Sequence, residues 1–166
     1  MKSTTIEPTP ATGFRILNQL INPFVRFMLH SPWHHLMSGS VLLLTYQGRK
    51  SGQEYTLPVQ YVQVGQTFYI VAGLAERKRW WRNLVGGAPI RLWVRSQAYQ
   101  ADAQVIIGGQ ADANLVDGLL AYFPRFPAAA QERGVSRLPD GGFDRNEVQA
   151  AAAQMTVVRA VIQGVE

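Results

Sequence analysis

The 166 residues suit one domain, 47% of them hydrophobic and 16% charged, a balance that excludes wholesale disorder and allows a sizeable core. Sixteen Lys and Arg against 11 Asp and Glu leave a formal charge of +5, which favours anionic ligands without specifying nucleic acid. The lack of cysteine excludes disulfides, thiolate metal sites and a cysteine nucleophile, and no apolar run reaches the roughly 20 residues that a membrane-spanning helix needs.

Residues 1–13 contain Thr and Pro and no long apolar core, which predicts a disordered lead-in rather than a signal peptide, a cytoplasmic chain, and a single domain over 14–166. Over 14–29, Phe14, Leu17, Leu20, Ile21, Phe24, Phe27 and Met28 recur at helical spacing, broken by Asn22-Pro23. Such a stripe packs on a core, with peripheral membrane contact as its alternative use. His30 and His34 are four apart, but Ser31-Pro32 breaks the helix between them, and no third ligand beyond neighbouring His35 stands at a recognisable spacing, so no metal site is expected.

Residues 41–46 (VLLLTY) and 55–62 (YTLPVQYV) are rich in β-branched and aromatic side chains and predict two strands. Between them Gly48-Arg49-Lys50-Ser51-Gly52 forms a glycine-bounded basic turn. It is either a solvated loop or an anion site, since glycines permit close backbone approach and two cations with a hydroxyl suit a phosphate. A third strand is expected over 68–71, ended by Ala72-Gly73, then a short helix over 76–85 with Trp80, Trp81, Leu84 and Val85 on one stripe and Lys78 and Arg82 on another. Residues 90–95 alternate, Ile90, Leu92 and Val94 against Arg91, Trp93 and Arg95, and a polar turn leads into a partner strand over 99–107.

The last third changes character. Leu115, Val116, Leu119 and Leu120 predict a helix over 111–122, and 128–133 adds a turn or two. Asp144 can cap a helix running to about residue 154, with Glu147 completing a capping box, and 155–163 alternates as a final strand. Hairpin-spaced strands without regular βαβ alternation predict a small antiparallel barrel with attached helices, and there is no dinucleotide fingerprint, P-loop, serine elbow or paired-acid spacing. Cations and aromatics instead gather at 49–50 and 77–82, a combination suited to a phosphorylated aromatic cofactor. Nucleic acid would use the same residues, but apolar strands interrupt the basic groups, so no nucleic-acid partner is expected.

The series Leu42-Leu43-Leu44-Thr45-x-x-Gly48-Arg49-Lys50-Ser51-Gly52, then Thr56-x-Pro58, Tyr61-Val62, Val71-Ala72, Trp81-x-Asn83-Leu84 and Pro89, resembles the deazaflavin-dependent nitroreductase family over roughly residues 40–107. The resemblance implies an α+β split β-barrel of the FMN-binding type, mainly antiparallel, with N-terminal and C-terminal helices packed around it. It also implies non-covalent deazaflavin F420, with FMN as the alternative, and hydride transfer to a small-molecule acceptor such as a quinone, nitroaromatic or activated alkene. The cofactor-binding residues carried over are Gly48, Arg49, Lys50, Ser51 and Gly52 at the anionic tail, Thr56 and Pro58 along the approach, and Ala72, Lys78, Trp81 and Asn83 near the ring. Many members carry a glycine-rich His-Pro loop before the Trp, whereas residues 73–79 here are shorter and more basic. That departure keeps open a non-catalytic module binding a flavin, tetrapyrrole or lipid.

Overall fold

A computed structural model describes residues 39–165. The lead-in over 1–13, the helix expected over 14–29 and His30, His34 and His35 lie outside the described residues. Seven strands form one antiparallel sheet: β1 (Val41–Gln47), β2 (Glu54–Gln60), β3 (Val62–Val64), β4 (Thr67–Val71), β5 (Ala88–Val94), β6 (Gln97–Ile107) and β7 (Thr156–Val165), in the order β2-β1-β5-β6-β7-β4-β3. A 3₁₀ turn, Trp80–Leu84, precedes β5, and helices α1 (Ala113–Tyr122), α2 (Pro127–Glu132) and α3 (Arg145–Ala152) lie between β6 and β7.

The strand expected over 55–62 is two strands. Tyr61 N donates to Ser40 O at 3.1 Å on the β1 side, while Val62 already pairs with Tyr69 of β4. The chain therefore leaves one edge of the sheet and joins the other across a single residue, which forces the sheet to curl until its edges nearly meet. This is the split β-barrel. Apolar continuity through Tyr61 hid the break, because Tyr61 is buried against Phe68, ring centroids 5.5 Å apart.

Alternation fills the barrel. Leu42, Leu44 and Tyr46 of β1, Phe68 and Ile70 of β4, Ile90, Leu92 and Val94 of β5, Ala101 and Ala103 of β6, and Val158 and Ala160 of β7 form one interior cluster, joined by Trp81 and Leu84 of the 3₁₀ turn. The opposite faces of β4 and β7 carry Tyr69 and Val157 into a second cluster with Leu115, Val116, Leu119, Val148 and Ala152 of the helical layer. Strands buried on both faces read as unbroken apolar runs, as Phe68-Tyr69-Ile70-Val71 does. Among the described residues no helix is long and apolar enough to cross a membrane.

Two local expectations are corrected. The helix expected over 76–85 is only the 3₁₀ turn, because Leu74, at φ 54°, starts a separate turn in which Arg77 N and Lys78 N both reach Leu74 O at 2.9 Å. Asp144 does cap α3, accepting from Asn146 N at 2.8 Å and Glu147 N at 3.0 Å. Glu147 does not complete the box, since its Oε2 accepts instead from Ser136 N at 2.8 Å, tying α3 to the preceding loop.

Candidate functional site

The barrel interior is packed with side chains, so room for a ligand lies outside it. A cavity of about 780 Å³ opens where the sheet splits. Leu57, Pro58, Val59 and Gln60 of edge strand β2 form one wall, Val71-Ala72-Gly73 at the end of β4 the base, and Lys78 and Trp80 a flank. Tyr122, Arg125, Phe126, Ala129, Glu132 and Arg133 of α1, α2 and their connections form the facing wall. Pro58 fits a strand that, among the described residues, is paired on one side, because a residue without an N–H is tolerated at a sheet edge.

The lining mixes apolar surface with charge. Lys78, Arg125, Arg133 and Glu132 share the lining, and the Lys78 ammonium has no hydrogen-bond or ion-pair partner among the described residues. Arg125 donates to Gly39 O, and Arg133 Nη1 to Gln154 O at 3.3 Å. The Tyr122 phenol, buried beside Gln60 Oε1 at 3.4 Å, is pushed up to about 12, by burial first and by the negative charge of Glu132 second.

The basic hairpin tip adjoins this cavity through the 3₁₀ turn. Gly48 N donates to Gln53 O and Gly52 N to Gly48 O, both at 2.8 Å, and Gly52 takes φ 66°. A Cβ on Gly48 would meet Ser51 Oγ at 2.6 Å and the Tyr55 ring at 2.7 Å, so a larger residue there would displace both side chains. Asn83 then locks the tip in place. Its Oδ1 accepts from Arg49 N at 3.1 Å while its Nδ2 donates to Trp80 O at 3.0 Å, and the Arg49 guanidinium donates to Val85 O.

The residues singled out in the sequence separate into three groups. Pro58, Ala72 and Lys78 line the cavity. Gly48, Arg49 and Asn83 form the tie between tip and 3₁₀ turn, with Lys50, Ser51 and Gly52 exposed at the tip. Thr56 and Trp81 stand elsewhere: Thr56 Oγ1 pairs with Thr45 Oγ1 at 2.8 Å across β1 and β2, and Trp81 is buried in the barrel with its Nε1 donating to Ala75 O at 3.0 Å. Sequence reasoning missed the facing wall. Arg125, Phe126 and Arg133 lie far along the chain, and the only signal was the Pro124 and Pro127 punctuation that ends α1 beside the cavity.

Comparison with known proteins bears on this arrangement. No curated protein matches the sequence significantly. Among solved structures, the fold is similar to that of an F420-H2 dependent reductase, FDR-A, at 14% identity and TM-score 0.50, over 73% of this chain and 93% of that one. It is similar also to a domain-swapped dimer at 13% identity and TM-score 0.51, over 83% and 97%. At these identities the likeness is one of fold. The sequence itself matches the family model of the F420H(2)-dependent quinone reductases over residues 28–137, a span that takes in the basic tip, Asn83 and the whole of the facing wall. The chain is thus a member of the F420H(2)-dependent quinone reductase family, an F420-dependent oxidoreductase built on a split β-barrel.

Proposed function

We propose that this protein reduces a small organic acceptor, a quinone, nitroaromatic or activated alkene, with the deazaflavin ring in the cavity beside Pro58, Ala72 and Trp80 and the anionic tail at the Gly48–Gly52 tip. The observation that carries the reading is the Asn83 tie, which holds the basic tip against the same 3₁₀ turn that supplies Trp80 to the cavity. A volume of about 780 Å³ falls within the roughly 300–1,000 Å³ of small-molecule sites. Apolar walls with a Lys78 ammonium that has no partner among the described residues suit an aromatic ring on a phosphorylated stem.

When bound, the reduced deazaflavin supplies a hydride. The chain's residues do the rest by position: Leu57, Val59, Trp80 and Phe126 exclude water from the ring's surroundings, and Asn83 fixes the tip. Lys50 presents an ammonium with no partner among the described residues to the tail, whereas Arg49 is partly engaged by Val85 O.

Equilibrium titration with the deazaflavin, and separately with FMN, followed by cofactor fluorescence, tests this. Micromolar or tighter binding of the deazaflavin is expected. Replacing both Arg49 and Lys50 by Ala should weaken it by about 2–4 kcal/mol, as loss of charge-assisted contacts does. Lys50→Ala alone is the cleaner probe, since it disturbs no bond of the fold. Unchanged affinity in the folded double variant removes the tip from the site, and preference for FMN keeps the fold and changes the cofactor.

A further inference from the structure

The fold keeps two sets of cations apart. Arg49 and Lys50 stand at the hairpin tip, outside the cavity lining, while Arg125 and Arg133 belong to the lining itself, on the wall built by α1 and α2. Each of these arginines gives one bond to a backbone carbonyl, Arg125 to Gly39 and Arg133 to Gln154. A guanidinium carries five donor hydrogens in a fork that matches a carboxylate, so both retain free donors. Glu132 is the one carboxylate facing them among the described lining residues. Phe126 and Ala129, on the same wall, offer apolar surface beside the charge.

We propose that the acceptor taken by this site is a planar molecule bearing a carboxylate, anchored by Arg125 and Arg133. The inference rests on the function proposed above. Both guanidiniums are exposed at the cavity, so a neutral acceptor would displace part of their water and return no charge partner, whereas a carboxylate in the same place adds charge-assisted bonds. The carboxylate is unchanged by the reaction. A quinone acceptor takes up a hydride from the reduced deazaflavin and a proton from solvent and becomes the quinol, while the deazaflavin is oxidised.

The test uses a matched pair, 3-(1,4-naphthoquinon-2-yl)propanoate and its primary amide, whose quinone rings are the same and whose charges differ. Acceptor binding to the full-length protein is measured by calorimetry, kcat/KM with the reduced deazaflavin by absorbance, and deazaflavin affinity by fluorescence. The acid should be preferred about tenfold or more in both binding and kcat/KM. Arg125→Gln and Arg133→Gln together keep a polar amide at each position and remove the charge, and unchanged circular dichroism and Tm confirm that the wall still folds without the two guanidinium–carbonyl bonds. In that variant the acid-to-amide ratio should fall to near one, with deazaflavin affinity held within about twofold. Equal binding of acid and amide by the unaltered protein overturns the inference, as does a preference that survives the double substitution. A double variant that loses the deazaflavin instead assigns these arginines to the cofactor and overturns it too. If the deazaflavin does not bind the unaltered protein, the proposed function fails, and the calorimetric acid-to-amide ratio still decides the anion site.

Discussion

Asn83→Ala removes two hydrogen bonds at once, from Arg49 N at 3.1 Å and to Trp80 O at 3.0 Å. Each is worth about 0.5–1.5 kcal/mol net, and water can replace the one at exposed Arg49, so the loss should be about 1.5 kcal/mol. For a domain of this size that corresponds to a fall in Tm of about 3–6 °C. The sharper readout is amide hydrogen exchange at Arg49, slow in the unaltered protein and near the free-peptide rate in the variant. Asn83→Asp keeps the acceptor for Arg49 N and loses only the donor to Trp80, so it should restore most of that protection. If Arg49 stays protected in Asn83→Ala and Tm is unchanged, the Arg49–Val85 bond alone holds the tip, and the Asn83 tie is not what joins it to the cavity.

Gly118→Ala in α1 sets helix propensity, a gain of about 1 kcal/mol, against a Cβ 2.5 Å from Tyr69 Cδ1 on a buried ring. The clash should win by about 1–2 kcal/mol, and a raised urea midpoint would refute this. Asp112 caps α1 and pairs with Arg159 Nη1 at 2.7 Å; burial alone would raise its carboxyl, but the Arg159 and backbone bonds prevail and hold it below 3.8. A depressed carboxyl stabilises fully above its unfolded value and loses that contribution as pH falls through the folded one. Asp112→Asn should therefore narrow the gap between urea midpoints at about pH 7 and about pH 3. Tyr122, raised from 10.0 to about 12, has the opposite consequence: its stabilisation is complete below pH 10 and lost as pH rises toward 12. Burial raises Tyr46 and Tyr69 as well, so phenolate absorbance should show several late-titrating phenols, of which Tyr122→Phe removes one, and a late amplitude unchanged in the variant would contradict the assignment.

Much of the barrel was legible because its signals are local. Ile90, Leu92 and Val94 alternate with polar neighbours on a strand with one wet face, and the Gly48–Gly52 turn announces itself by residues that only a tight connection needs. The Tyr61 switch was not legible, since a strand that changes partners keeps its β-pattern and only its hydrogen bonds move. Glu147 stood at capping-box spacing, yet Ser136 N competes for it, a partner that no local rule supplies. The family resemblance carried a cofactor-side expectation for Trp81, whereas its indole packs in the barrel cluster and donates to Ala75 O. The facing wall of the cavity was invisible for a general reason. It depends on which surface α1 and α2 cover, and the apolar stripe of a helix says that it packs without saying on what.

The position of the cavity follows from the packing. A small barrel whose interior is filled by Leu44, Phe68, Trp81 and Leu92 has no volume for a ring system, so binding must use the seam between its edges. At that seam β2 has no second strand partner among the described residues, and Pro58 within it suits such an edge. The helical layer packs on β3, β4, β7 and the end of β6, and its end at 122–133 faces the seam without sealing it. The two walls of the resulting cleft therefore come from different parts of the chain. On one side β2, Lys78 and Trp80 line the cleft and are held by the hairpin tip and Asn83 outside the lining, whereas on the other the Arg125–Arg133 segment packs through Phe126 and Ala130 and carries its charged side chains at the surface. Substitutions in the first wall should change cofactor affinity, and substitutions in the second should change which acceptor is accepted.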